Sequence, residues 1–132
     1  MYKSPDVDEN IVLVVMDRTD YDAKLIASTL TRAGFEVRCC ADSTSVLELC
    51  CSVGLQLAII DPGTPGIAIP ELLRGMHADV PVLLLADPSL LDSEPDWVGA
   101  RNIRATLTKP FRRSQLLGSV LKVVNEPRYC TA

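Results

Sequence analysis

The sequence predicts an α/β domain built on a doubly wound, five-stranded parallel sheet. Three observations carry that expectation. Ile11 to Met16, Leu57 to Ile60 and Pro81 to Ala86 are uninterrupted aliphatic runs; a strand buried on both faces reads that way, whereas a half-exposed one alternates. Between them, apolar residues recur at helical spacing, so strands and helices take turns along the chain. The chain has 132 residues, enough for one domain with its own core, and is 48% apolar but only 5% aromatic, which suits an aliphatic α/β interior.

Ile11 to Met16 is the first strand and stops on Asp17. Asp20 can cap the helix that follows, whose apolar positions are Tyr21, Leu25, Ile26, Leu30 and Ala33, and Gly34 stands where a left-handed stop is needed. Phe35 to Cys40 is a shorter, more polar strand suited to a place near the sheet edge. The next helix starts in ADSTS, with Ser45 and Glu48 spaced as a capping box, and carries Val46, Leu47, Cys50 and Val53 up to Gly54. The central strand then delivers Asp61 to a loop containing Pro62, Gly63 and Pro65.

Pro70 is placed as the first residue of a short helix, with Leu72, Leu73 and Met76 facing inward. Pro81 to Ala86 is the fourth strand. From Asp87 to Asn102, two prolines and several acids leave only loose periodicity around Trp97, so a broken or short helix is expected there. Ile103 to Thr108 is the fifth strand, ending on Lys109-Pro110, and the last helix carries Leu116, Leu117, Val120, Leu121 and Val124. Residues 1–10 read as a polar N-terminal tail, 11–125 as the domain, and 126–132 as a tail or linker stub.

Composition excludes several classes of function. Thirteen Lys and Arg against 17 Asp and Glu give a net charge of −4, and no basic stripe with interleaved aromatics offers a nucleic-acid footprint. The start, MYKSPDVDEN, is polar and acidic, unlike a signal peptide, and no apolar run is long enough to span a membrane, so a soluble, cytoplasmic protein is expected. Cys39, Cys40, Cys50, Cys51 and Cys130 form no CxxC, and His77 is the lone histidine. Adjacent cysteines on a strand point to opposite faces, which is poor chelating geometry, so they read as small hydrophobes.

Right-handed crossovers leave few ways to arrange these elements, and the flavodoxin-like strand order 2-1-3-4-5 is the natural one. In that order the first and third strands are neighbours, so Asp17 and Asp61 meet at the carboxyl edge of the sheet, and the fifth strand brings Lys109 to the same edge. Two carboxylates and a lysine are the equipment for metal-assisted phosphoryl transfer onto a carboxylate. Magnesium takes one or two carboxylates with waters and phosphate oxygens. Asp17 and Asp61 could supply the carboxylates, and the Gly63 carbonyl a third oxygen. Lys109 would neutralise a transferred phosphoryl group, oriented by Pro110 through a cis Lys109-Pro110 bond. The plainer reading of Asp61 is a turn aspartate that caps its own loop.

With these residues in place, the stretch Ile11 to Val124 resembles the receiver domain of bacterial two-component response regulators. Asp17 at the end of the first strand, the D-x-x-x-P of Asp61 to Pro65, and Lys109-Pro110-Phe111 carry the resemblance. It implies that Asp61 is the phosphoacceptor, Asp17 a magnesium ligand, Gly63 the backbone ligand and Lys109 the phosphate-contacting lysine. It also implies a signalling domain rather than an enzyme, with Mg²⁺ as cofactor and a histidine kinase or phosphotransfer protein as partner. The family commonly uses the face built by its fourth helix, fifth strand and fifth helix for dimerisation or output. Here that face would hold Trp97, Arg101, Arg104, Arg112 and Arg113.

The chain departs from the family pattern in several places. Receivers usually end the first strand on two adjacent acids, whereas Asp17 lies between Met16 and Arg18. Spacing to Gly34 assigns the second acid's place to Arg18, and spacing to Asp61 assigns the first to Met16. Asp20 could reach in as a substitute, although a helix cap is its simpler duty. The hydroxyl expected at the end of the fourth strand falls on Ala86 or Asp87, the aromatic switch of the fifth strand falls on Thr106, and the glycine after the phosphoacceptor loop falls on Ile69.

Two readings therefore stand side by side. One is a working, Mg²⁺-dependent phosphoacceptor. The other is a phosphorylation-impaired pseudo-receiver acting as a protein-interaction module, in which the Arg18 guanidinium does part of a metal's charge-balancing work. A flavodoxin-type cofactor binder shares the fold but needs a phosphate-cradling loop after the first strand, where this chain has Asp17 to Tyr21.

Overall fold

Uninterrupted aliphatic strands need cover on both faces, and the computed structural model shows how this chain provides it. It describes residues 11–17, 19–50, 55–76, 80–89 and 102–125. The elements are β1 (Ile11–Val15), α1 (Tyr21–Arg32), β2 (Glu36–Cys40), α2 (Ser43–Cys50), β3 (Leu55–Ile60), α3 (Ile69–Gly75), β4 (Val82–Ala86), β5 (Ile103–Thr108) and α4 (Arg113–Val124). The sheet runs β2-β1-β3-β4-β5 with every pair parallel. The broken helix expected around Trp97 lies outside the described residues, apart from its first few positions.

Each central strand feeds two cores in alternation. Val12, Val14, Leu57, Ile59, Leu83 and Leu85 pack on one face with Ile26 and Leu30 of α1 and with Leu116 and Val120 of α4. Leu13, Val15, Ala58, Ile60 and Val82 pack on the other with Val46 of α2 and Leu72 and Leu73 of α3. A side chain on either face is thus removed from water, worth about 2 kcal/mol for each large aliphatic. The edge strands β2 and β5 are half-exposed and correspondingly more polar. Among the described residues no helix is long and apolar enough to cross a membrane.

Several local expectations change. Tyr21 is 75% exposed, at the solvent side of the first turn of α1 rather than on its apolar face. Ala33 is the exposed C-cap of α1, and Gly34 follows at φ +99°, the left-handed stop its position predicts. The start of α2 is not a Ser45–Glu48 box. Asp42 precedes the helix, and its Oδ1 accepts the Ser45 N–H at 2.8 Å. A carboxylate placed at that point satisfies an orphan N–H and complements the helix dipole, so it displaces the later serine as the cap. Pro70 is the second residue of α3, after Ile69, with Ala68 at the N-cap.

Candidate functional site

The site forms where β1, β3 and β5 end. Val15 is in register with Ile60, and the Asp61 N–H donates to the Val15 carbonyl at 3.1 Å, so pairing continues one step past β3 and holds Asp61 at the rim. Asp61 is 9% exposed. Its Oδ1 accepts the Gly63 N–H at 2.9 Å, and its Oδ2 accepts from Lys109 Nζ at 2.7 Å. Lys109 is carried in by β5 and held at its base by its own N–H, which donates to the Ala86 carbonyl at 2.8 Å. The Lys109–Pro110 peptide bond is cis. A charge-assisted hydrogen bond of this length, largely sheltered from water, is among the stronger single contacts a fold makes.

The β1 side of the site is built differently. Val15 is the last residue of β1, so Met16 stands level with Asp61, and it is 1% exposed with its side chain in the core shared with α1 and α4. Of the two positions weighed for the absent acid, Met16 is the one beside Asp61; Arg18 lies outside the described residues. Asp17 is exposed, and its Oδ1 accepts both the N–H and the Oγ1–H of Thr19, at 2.9 and 2.8 Å. Those two bonds, the backbone one first, hold its carboxyl below the usual aspartate range. Asp20 accepts the Asp22 N–H at 2.8 Å and so caps α1 instead of reaching into the site.

The remaining predicted positions divide. Ala86 is fully buried at the end of β4, in register with Thr108, while Asp87 is exposed and accepts from Ser89 Oγ at 2.6 Å. Thr106 is exposed on β5, and Ile69 is buried at the start of α3. Cys39 donates from Sγ to the Met16 carbonyl at 3.5 Å. Cys51, Cys130, His77, Trp97 and Arg101 lie outside the described residues.

Sequence reasoning passed over Thr64 and Thr19. Thr64 is buried, and its hydroxyl lies 2.8 Å from the Asp61 carbonyl and 3.2 Å from the Val15 carbonyl. The signal was present in the D-x-x-T and D-x-T spacings, because a short hydroxyl reaches a carbonyl three residues back and an aspartate carboxylate accepts from the N–H two residues on.

Among the described residues, no three His, Cys, Asp or Glu side chains converge as a metal cluster. Asp17 and Asp61 follow β1 and β3, which are neighbours in the sheet, so two carboxylates lie past the same edge, one charge fewer than a three-carboxylate magnesium site would offer.

No family model matches the chain. It is 34% identical over 113 residues to YrkP, an uncharacterized transcriptional regulatory protein of Bacillus subtilis, a match covering 83% of this chain and 47% of that protein. The chain therefore spans about half the length of this curated relative. Among solved structures it is similar to the chemotaxis response regulator CheY4 of Vibrio cholerae, at 27% identity and TM-score 0.68 over 86% of this chain and 97% of that one. Two further structures share the fold. A putative response regulator from Chloroflexus aurantiacus has 24% identity and TM-score 0.75, covering 89% of this chain and 98% of that one. The receiver domain of the sensor histidine kinase PA1611 from Pseudomonas aeruginosa, with a magnesium ion coordinated in its active site cleft, has 20% identity and TM-score 0.74, with the same coverage. Sheet order, the acid and lysine at its rim, and these likenesses agree: the chain has the fold of response-regulator receiver domains and is similar to them in sequence, with Met16 beside its central aspartate.

Proposed function

We propose that this receiver accepts a phosphoryl group on Asp61 from the phosphohistidine of a histidine kinase or phosphotransfer protein. The observation that carries the reading is the Asp61 Oδ2–Lys109 Nζ contact of 2.7 Å at the carboxyl edge of the sheet. An Asp61 carboxylate oxygen attacks phosphorus, the bond from phosphorus to the donor imidazole breaks, and its electron pair leaves on the imidazole. Charge spreads over the transferring oxygens, and Lys109 is already placed to pair with it. The Gly63 N–H holds Oδ1, so the carboxylate is oriented before the donor arrives.

Asp17, Asp61 and the Gly63 carbonyl would hold a Mg²⁺ ion, which supplies further neutralisation of phosphoryl charge when bound. The domain works as a signalling module, and the phosphoryl group is its input rather than a substrate turned over. Exposed Arg104, Arg112 and Arg113 belong to the surface assigned to a second copy or an output partner.

A second reading rests on Met16, a buried apolar side chain level with Asp61, and on Ala86 and Asp87, the two places for the expected hydroxyl, neither of which carries one. It makes the chain a pseudo-receiver whose fold presents a binding surface and whose phosphorylation is impaired.

The two separate on one experiment: acetyl phosphate with the isolated protein, with and without Mg²⁺, read by intact mass, with Asp61→Asn as control. The phosphoacceptor reading expects one phosphoryl adduct that needs Asp61. No adduct from acetyl phosphate or from a phosphorylated histidine donor would leave the pseudo-receiver.

A further inference from the structure

The turn after β3 is closed twice by one residue. The Thr64 N–H donates to the Asp61 carbonyl at 3.1 Å, and the Thr64 hydroxyl lies 2.8 Å from the same oxygen. That hydroxyl is also 3.2 Å from the Val15 carbonyl, which already accepts the Asp61 N–H at 3.1 Å. The last carbonyl of β1 thus gathers both ends of the four-residue turn Asp61 to Thr64. Inside the turn, the Gly63 N–H aims at Asp61 Oδ1, and the opposite oxygen meets Lys109. A shift of the turn relative to β1 would move Gly63, and with it the carboxylate that faces Lys109.

We infer that Thr64 is a positioning residue for the phosphoacceptor, clamping the Asp61 turn to β1 through its buried hydroxyl; this rests on the reading of Asp61 proposed above. The prolines on either side do not replace the clamp. Pro62 fixes its own φ, and Pro65 restricts Thr64 to extended backbone, but neither ties the turn to β1. The hydroxyl carries one proton between two carbonyls, and both carbonyls have another donor. Removing the hydroxyl therefore leaves no orphaned acceptor, so a Thr64→Val protein should fold, with a looser turn. This separates positioning from mere stability.

The test compares wild type, Thr64→Val and Thr64→Ser. The first readout is the rate of phosphoryl incorporation from acetyl phosphate. The second is the ¹H–¹⁵N signal of the Lys109 ammonium group, which is visible when its protons are held against a carboxylate and broadens when they exchange with water. The clamp predicts a rate about tenfold lower in Thr64→Val, within the range that small misplacements cost. It also predicts a broadened Lys109 signal, and recovery of both in Thr64→Ser. Wild-type rate and signal in Thr64→Val would overturn the inference, and so would a lowered melting temperature with both readouts unchanged. If wild type takes up no phosphoryl group, the phosphoacceptor reading falls by itself. The Lys109 signal then still decides the clamp: broadening in Val with recovery in Ser upholds it, and an unchanged signal overturns it.

Discussion

The two halves of the site differ in how their side chains are held. On the β3–β5 side the groups are tied across elements: Asp61 to Lys109, Lys109 to Ala86, and Thr64 to Val15. On the β1 side Met16 is sunk in the core and Asp17 bonds only locally among the described partners, to Thr19 two residues on. Asp61 and Lys109 are held together before any ligand arrives, while the groups that would hold a metal are reduced and less constrained. The departure from the receiver pattern that stands level with Asp61 is Met16, on the β1 side.

The largest effect that would break this contrast is expected at Lys109. Lys109→Ala removes the cation facing Asp61 and should slow phosphoryl incorporation by about 10²-fold or more, the cost of losing one electrostatic stabiliser. A rate within a few-fold of wild type would mean that the β3–β5 half is not the working half.

Met16→Asp sharpens the contrast from the other side. It puts a carboxylate in an apolar, 1% exposed place, which should cost about 2 kcal/mol or more without metal. Added Mg²⁺ should recover much of that loss, because a ligand that binds only the folded state raises its stability. A thermal melt with and without Mg²⁺ checks it. Equal melting temperatures under both conditions would show that the position does not face the metal.

Asp42→Ala serves as a control away from the site. Losing the α2 cap should cost about 1 kcal/mol in urea unfolding and leave incorporation unchanged. A changed rate would contradict the separation of cap and site.

The smallest effect is in acid. Asp42 and Asp17 are both held below the ordinary aspartate range by backbone N–H donors, from Ser45 and Thr19 respectively. A carboxyl depressed in the folded state contributes stability above its unfolded pKa and loses it as pH falls through the folded value. Stability from these two groups should be flat above about pH 5 and decline below about pH 4. NMR titration of their side-chain carbons should give midpoints below those of unfolded aspartate, and ordinary midpoints would remove both bonds from the account.

Most of the fold was legible because burial on both faces leaves a simple trace. The unbroken runs in β1, β3 and β4 marked the central strands, and the polar β2 marked an edge. Asp61 and Lys109 were legible for the same reason: each ends a strand whose place in the order was already fixed. Local choices between neighbouring polar residues were harder. Asp42 and Ser45 both suit a cap, and the carboxylate took it. Tyr21 fits a helical spacing but sits in the first turn, where the core does not reach. Thr64 was passed over because a loop threonine usually points to water, and only the register of β1 against β3 shows which carbonyl it meets.

The most direct test of the contrast is the magnesium dependence of phosphoryl incorporation at Asp61, measured side by side in wild type and Met16→Asp. An organised nucleophile with a reduced metal side predicts one adduct in wild type, with half-maximal rate at a Mg²⁺ concentration about tenfold above that of Met16→Asp, for a difference of one ligand charge. The same half-maximal concentration in both proteins, or no adduct in wild type at any Mg²⁺ concentration with either a small donor or a phosphohistidine protein, would contradict it.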